Sequence, residues 1–175
     1  MFQKILVAID ASERGQLVFD QALQLAQATS AHLMLLHVLS SEEEGSPNVS
    51  IIGLEYYPSI ADEIVQMHQK QWVEYENRGL KMLRSHAEQA AAVGVAIEFT
   101  QNFGNPGRTI CEVAHTWDAD LIIMGRRGHS GLNELLLGSV SNYVLHHAPC
   151  SVLTVQGIVH ADSTTTQDQL ADVVL

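Results

Sequence analysis

The stretch from residue 120 to residue 139 reads DLIIMGRRGHSGLNELLLGS and decides how the fold is interpreted. It opens with a strand-sized apolar run at 120–124 and continues through glycines at positions 125, 128, 131 and 138. From Ser139 onward, apolar residues such as Val140 and Val144 recur at helical spacing. This stretch therefore predicts a buried strand, a glycine-rich loop and a helix, in that order.

The glycine-rich loop has the layout that phosphate binding requires. Glycines let the backbone approach an anion and adopt positive φ, so that successive N–H groups converge. A helix N-terminus adds further N–H donors and positive potential. The spacing fits neither the Walker pattern, which needs Gly-Lys-Ser/Thr, nor the dinucleotide pattern Gly-x-Gly-x-x-Gly. Spacing alone leaves open a purely structural role, in which Gly125 ends a strand and Gly138 eases a turn.

The N-terminal region repeats the order of strand, turn and helix. An apolar run at residues 4–9 ends in Asp10-Ala11-Ser12, and Ser12 is placed to cap a helix whose apolar residues recur at helical spacing. Apolar runs bounded by turn residues predict three more strands. Together, the five predicted strands cover residues 4–9, 32–38, 95–100, 120–124 and 150–155.

Strands that alternate with helices predict the α/β class, as a single doubly wound, Rossmann-like, five-stranded parallel sheet with helices on both faces. We expect the strand order 3-2-1-4-5, in which a ligand binds beyond the carboxyl ends of the first and fourth strands. Asp10 and Gly125 follow those two strands. The fold and the glycine-rich loop therefore indicate the same crevice.

A long loop is predicted at residues 40–58, between the second strand and a long amphipathic helix. Glycines and prolines punctuate this segment, and its acidic triplet, Glu42-Glu43-Glu44, is expected to be solvated. The helix begins at a capping box formed by Ser59 and Asp62 and continues to Gly94. Because the loop follows the second strand, one hypothesis is that it forms a lid over the crevice.

Composition limits the classes of function. A chain of 175 residues that is 46% hydrophobic suits one folded domain, predicted for residues 1–157, with a polar tail at 158–175. The net charge of −11, from 9 Lys and Arg against 20 Asp and Glu, opposes general binding to nucleic acid or anionic membranes. No apolar run approaches the roughly 20 residues that span a bilayer, and the N-terminus does not resemble an export signal. These features favour a cytoplasmic protein.

The pattern Gly125-x2-Gly128-x9-Gly138-Ser139 resembles the nucleotide-binding pattern of ATP-binding universal stress proteins. The similarity includes the first strand with Asp10 and the segment Leu36-His37-Val38, and it covers roughly residues 2–156. The chain departs from the family pattern in three places: Ala11, where the family often has glycine; Ser151, where it often has proline; and the long segment between strands two and three.

The resemblance implies where a nucleotide binds. It places adenine against the backbone of Val38 and ribose near Asp10 and Gly125. Phosphates are expected on the glycine-rich loop and the start of the next helix, at Gly128, Gly138, Ser139 and Val140. The ligand is expected to be ATP, or ADP or AMP, together with Mg²⁺, and no catalytic residue or metal ligand is assigned.

The fifth strand, Cys150 to Val155, is also expected to pair two copies of the chain as a homodimer. It forms an edge of the sheet in the expected strand order, and it lacks the Lys or Pro that usually protects such an edge. Universal stress proteins commonly pair by these edges, so the resemblance implies the same arrangement.

Three kinds of function are compatible with these features. In the first, ATP occupancy switches the shape presented to an unidentified protein partner in a stress response. In the second, the protein is a slow ATPase or a phosphoryl or nucleotidyl transferase, and in the third it is an interaction module that uses no nucleotide. The loop contains no lysine to meet charge developing on a phosphate, which favours the regulator over the enzyme. Arg126 and Arg127 are expected to face solvent.

Overall fold

The computed structural model describes residues 1–41, 43, 45–47, 58–126 and 138–156. Along these residues strands alternate with helices. The elements are β1 (Lys4–Ala8), α1 (Glu13–Thr29), β2 (His32–Leu39), α2 (Pro58–Ala92), β3 (Ile97–Phe103), α3 (Pro106–Thr116), β4 (Leu121–Gly125), α4 (Ser139–His147) and β5 (Ser151–Val155).

The strands form one sheet in the order β3-β2-β1-β4-β5, and every neighbouring pair is parallel. β1 is central, so that Leu6 lies beside Met34 of β2 on one side and Ile122 of β4 on the other. Helices α1 and α2 cover one face of the sheet, and α3 and α4 cover the other. The predicted fold class, strand order and parallel pairing are confirmed.

Each face of the sheet carries its own apolar core. On one face, Phe19 of α1 and Leu83 of α2 are completely buried against the strands. On the other face, Ile110 of α3 and Val144 of α4 pack against the opposite sides of the same strands. Because successive strand side chains point to opposite faces, a strand covered on both sides is apolar throughout. The fully buried run at residues 5–7 of β1 follows this rule.

All five strands differ from their predicted ranges by one to three residues at an end, and β3 differs most. β3 lies at Ile97–Phe103 rather than 95–100, because Val95 takes part in the turn that ends α2. The Val95 N–H donates to the Ala90 carbonyl at 3.0 Å across Gly94, whose φ of 78° is the left-handed conformation that ends many helices. β5 begins one residue after Cys150, which lies before the strand instead of opening it.

His86 is a buried titratable side chain on α2. It is 6% exposed, and its ring stacks on Phe19 with the ring centroids 4.3 Å apart. Its Nδ1 has no hydrogen-bond partner among the described residues. Burial lowers the pKa of His86 from its ordinary value of 6.5, and the carboxylate of Asp20 opposes this shift. The His86 side chain therefore binds a proton less readily in the folded protein than in the unfolded chain.

We expect the free energy of unfolding to fall as the pH drops below 6.5, where the unfolded chain binds a proton more readily than folded His86 does. Well above that pH, neither state holds the proton and His86 contributes no pH dependence. The slope due to His86 is at most about 1.4 kcal/mol per pH unit. A His86→Phe variant keeps a ring against Phe19 and should lose this slope in urea unfolding measured across the histidine titration range. The exposed His146→Gln control should keep it, and an unchanged slope in His86→Phe would contradict the assignment.

Candidate functional site

A crevice of about 210 Å³ opens at the carboxyl ends of the central strands. Its wall contains residues 8–10 at the end of β1, 36–38 towards the end of β2, Gly125 and Arg126 at the end of β4, and residues 138–141 at the start of α4. Strand order reverses at this point, and doubly wound sheets bind their ligands at such reversals.

The crevice contains an apolar slot between the sheet and α3. Leu36 and Val38 of β2, Met124 of β4 and Ile110 of α3 line it on the face of the sheet that α3 and α4 cover. Apolar walls with a few polar groups at their edges are typical of small-molecule sites. The slot is therefore suited to the apolar part of a small ligand.

The N-terminus of α4 forms another part of the wall. Gly138 is the N-cap residue, and no side chain among the described residues caps the N–H groups of this helix end. The first N–H groups of a helix have no acceptor within the helix itself. Since residues 138–141 line the crevice, these N–H groups and the positive end of the helix dipole can meet an anion there.

Asp10 organises the turn between β1 and α1. Its Oδ1 accepts hydrogen bonds from the Ser12 hydroxyl and from the Ser12 N–H at 3.2 Å. The Ser12 Oγ in turn accepts from the Gly15 N–H at 3.2 Å, which confirms the N-cap predicted for Ser12. Asp10 therefore fixes the start of α1 and lines the crevice at the same time.

Six of the seven residues predicted to bind a nucleotide line this one crevice: Asp10, Val38, Gly125, Gly138, Ser139 and Val140. They come from separate parts of the chain and are brought together by the fold. The seventh, Gly128, lies outside the described residues, together with the rest of the segment 127–137. Contact of these residues with a nucleotide remains a prediction.

Two arginines also line the crevice, and neither is among the residues predicted from the sequence. Arg126 is half-buried, so the expectation that it faces solvent is wrong. Its N–H donates to the Val155 carbonyl at 2.9 Å and its Nη1 to the Gln156 side chain at 3.4 Å, which hold it beside β5. Arg14 lies in the first turn of α1. Its closeness to Asp10 in the sequence could have indicated that it lines the crevice. Arg127 lies outside the described residues.

A buried polar cluster beside the crevice was not predicted from the sequence. Glu43, which follows β2, accepts hydrogen bonds from the Tyr75 hydroxyl of α2 and from His37 Nε2, which lies 3.1 Å from Glu43 Oε1. On the other side of the His37 ring, Gln101 Nε2 of β3 lies 3.2 Å from Nδ1. We call these four residues the Glu43 cluster. Its members His37 and Glu43 line the crevice.

Hydrogen bonds determine where the protons lie in the Glu43 cluster. Gln101 Nε2 also donates to the Glu76 carbonyl at 3.2 Å, which orients the amide. His37 Nδ1 is therefore an acceptor, and the ring proton on Nε2 donates to Glu43. Burial, together with the hydrogen bond to Glu43, raises the pKa of Tyr75 well above its ordinary value, so that its hydroxyl remains a donor.

The expectation that the acidic triplet is solvated is wrong for Glu43. Its side chain is only 8% exposed and that of His37 1%, because donors from β2 and α2 satisfy the carboxylate away from water. Gly79 of α2 permits this packing, since a Cβ there would overlap the His37 ring and the Gln101 amide. Glu42 and Glu44 lie outside the described residues.

The described part of the chain contains no group of three or more His, Cys, Asp or Glu side chains placed to hold a metal ion. None of the helices in that part combines the length and the hydrophobicity that crossing a bilayer demands.

Solved structures with this fold include proteins crystallised with nucleotides. A universal stress protein in complex with cAMP is 26% identical, with a TM-score of 0.57 over 89% of this chain and 97% of that one. A universal stress protein family protein from Arabidopsis thaliana with AMP bound is 21% identical, with a TM-score of 0.56 over 94% of this chain and 97% of that one. At 21% identity, the similarity to the Arabidopsis thaliana protein shows a shared fold alone.

Two relatives found by sequence have higher identity to this chain than those two solved structures. Universal stress protein Sll1388 of Synechocystis sp. is 40% identical over 159 residues, which are 89% of this chain and 98% of that protein. Universal stress protein YxiE of Bacillus subtilis is 38% identical over 157 residues, which are 89% of this chain and 100% of that protein. The model of the universal stress protein family matches residues 1–156. The chain therefore belongs to the universal stress protein family.

Proposed function

We propose that the protein is a cytoplasmic stress-response regulator that binds ATP, or a close adenine nucleotide, in the crevice. The observation that carries this proposal is the convergence of six residues from distant parts of the chain on one crevice, which joins an apolar slot to a helix N-terminus. Related structures with cAMP and AMP bound support the choice of an adenine nucleotide.

The two ends of the crevice determine how the nucleotide is oriented. Phosphates bind at the start of α4, where N–H donors converge and Arg126 adds positive charge. Ribose lies over Asp10, which accepts hydrogen bonds from its hydroxyls, and the base extends to Val38 in the apolar slot. Mg²⁺ neutralises part of the phosphate charge, which helps a protein whose own net charge is −11.

The nucleotide acts as a ligand and not as fuel. Of the described residues that line the phosphate end, namely Gly125, Arg126 and residues 138–141, none is a lysine, a histidine or a carboxylate. Fast phosphoryl transfer needs groups that stabilise charge on the γ-phosphate and position the attacking water. Arg126 is the one cation among these described residues, and no carboxylate or histidine there positions the attacking water. Backbone donors bind ground state and transition state about equally, which strengthens binding without accelerating the chemistry. Occupancy itself, read by a protein partner, then carries the signal.

Calorimetry of Mg²⁺ and ATP with protein stripped of bound ligand tests the proposal, alongside mass spectrometry of whatever the freshly purified protein releases on denaturation. We expect one nucleotide per chain and an adenine nucleotide in the released fraction. No detectable binding of ATP, ADP or AMP would overturn the proposal. Phosphate release at about 1 s⁻¹ or faster, the lower range for kinases, would instead favour an enzyme.

We also propose that two copies pair through β5. This strand is an edge of the sheet, and Leu153 on it is 42% exposed. No Lys or Pro within Ser151–Val155 protects the unpaired backbone groups of that edge. Combining Val152→Lys with Thr154→Pro is expected to give monomers in light scattering, whereas Val65→Lys, at an exposed apolar site on α2, should leave the dimer intact. A wild-type protein that is already monomeric at micromolar concentration would contradict the proposal.

A further inference from the structure

The Glu43 cluster supplies a carboxylate at the side of the crevice opposite to the start of α4. β2 and β4 flank the central strand β1 on opposite sides. Glu43 follows β2, whereas residues 138–141 follow β4, and both groups line the same crevice. A nucleotide with its phosphates at the start of α4 therefore extends its base towards the end of β2, and Glu43 lines the crevice just beyond that strand.

We propose that Glu43 is a specificity residue for the base, and that its carboxylate accepts a hydrogen bond from the exocyclic amino group of adenine. The inference rests on the proposed function, because the direction of the nucleotide comes from there. It goes beyond that function by naming a side chain that distinguishes one base from another.

The cluster orients the carboxylate before any ligand arrives. The Tyr75 hydroxyl and His37 Nε2 both donate to it, and the Glu43 side chain is 8% exposed. Gln101 holds the His37 ring from its far side, and the absence of a side chain at Gly79 leaves room for both. A carboxylate whose rotamer is already selected loses less entropy on binding than a mobile one.

The chemistry of the cluster favours a base that donates over a base that accepts. An ionised carboxylate has about four lone-pair sites and accepts only, so acceptor capacity remains after the bonds from Tyr75 and His37. The ring N–H of His37 and the hydroxyl of Tyr75 are both directed at Glu43, which leaves neither proton for a ligand. An adenine amino group gains a charge-assisted hydrogen bond there, whereas a 6-oxo group meets a second oxygen and is repelled.

Binding of ATP, ITP and the triphosphate of purine riboside measures this discrimination. ITP replaces the amino group by an oxygen and also carries a proton on N1, whereas the triphosphate of purine riboside simply lacks the amino group and isolates its contribution. The wild type is expected to prefer ATP to both by roughly 10- to 100-fold, the range for one hydrogen bond to a charged group. In Glu43→Gln, the amide oxygen takes the bonds from Tyr75 and His37, and its NH₂ group opposes the adenine amino group. The preference for ATP over purine riboside triphosphate should then fall at least about tenfold.

Two further variants separate the role of Glu43 from general effects. Glu74→Gln removes the same charge from an exposed position of α2 and should keep the wild-type preference. Tyr75→Phe removes one of the donors that orient the carboxylate, and it should lower the preference partly while thermal unfolding still shows a folded protein. Tyr75 is thus tested as a positioning residue, and it provides a readout even if Glu43→Gln does not fold.

The outcomes are distinguishable. If the wild type binds no adenine nucleotide, the proposed function fails and this inference fails with it. If the wild type binds ATP but folded Glu43→Gln keeps the full preference over purine riboside triphosphate, only the inference is overturned. A wild type that prefers GTP would also overturn it, since the carboxylate would then accept from the N1 and N2 edge of guanine.

Discussion

A Gly15→Ala protein is expected to be less stable than the wild type by about 3 kcal/mol, the upper range for an overpacked site. Gly15 is buried in the first turn of α1, where an added Cβ would overlap the backbone carbonyl oxygen of Asp10. Backbone atoms cannot rotate away as the end of a side chain can, so the turn between β1 and α1 has to move. In thermal unfolding we expect the midpoint to fall by roughly 6–12 °C.

The same substitution should weaken nucleotide binding, because the overlap displaces Asp10 from the crevice. Gln16→Ala is the matched control: it lies next to Gly15, is exposed, and gives up only a helix-surface bond to Asp20 at 2.7 Å. Such a pair contributes about 0.2–0.5 kcal/mol. If Gly15→Ala were as stable as Gln16→Ala, the turn between β1 and α1 would accommodate an added Cβ, and the prediction would be wrong.

Replacing both Gly128 and Gly138 by valine is expected to weaken ATP binding by 100-fold or more, at roughly tenfold for each charge-assisted hydrogen bond lost. At Gly138, the bulk is added at the N-cap of α4, where the proposed site needs the backbone to approach the phosphates. The φ and ψ of Gly138 are −56° and 154°, which a residue with a side chain also adopts, so the start of the helix should survive. The resemblance to the family pattern provides the reason for including Gly128. Calorimetry with Mg²⁺ and ATP measures the effect.

Asn142→Val is the control for that double variant, since it adds a valine at an exposed position of α4 away from the crevice lining. It should bind ATP as the wild type does. If a folded double variant bound ATP as tightly as the wild type, the phosphates could not bind at the glycine-rich loop. Circular dichroism and thermal unfolding establish that the variant is folded.

The fold was predictable because its main signals are local. The apolar run at residues 5–7 predicts a strand that is buried on both faces. The alternation of such strands with helices along the chain predicts that the strands pair in parallel. The location of the crevice followed from strand order, which makes the ends of β1 and β4 meet. Residues distant in the chain, such as Asp10 and Ser139, were thereby assigned to one place, and the structure has both on the crevice wall.

Features that depend on tertiary contacts were not predictable. The sequence presents Glu43 as the middle of three equivalent acids, and its burial depends on Tyr75 of α2, 32 residues away. The orientation of His37 depends on Gln101 of β3 and on the missing side chain of Gly79. The position of Arg126 likewise depends on contacts distant in the chain, among them its hydrogen bonds to Val155 and Gln156. Periodicity describes which face of an element is buried, but not which polar groups meet there.

The central place of β1 has a consequence for how the chain folds during synthesis. Ile5 pairs with Leu121, so one of the two neighbours of the first strand is made only after most of the chain has emerged from the ribosome. Contacts that are so far apart in sequence close late and slow the folding of parallel sheets. The crevice cannot be complete before β4 and the start of α4 have joined the sheet. A ligand that binds only the completed crevice therefore stabilises finished chains and cannot assist a shorter nascent chain.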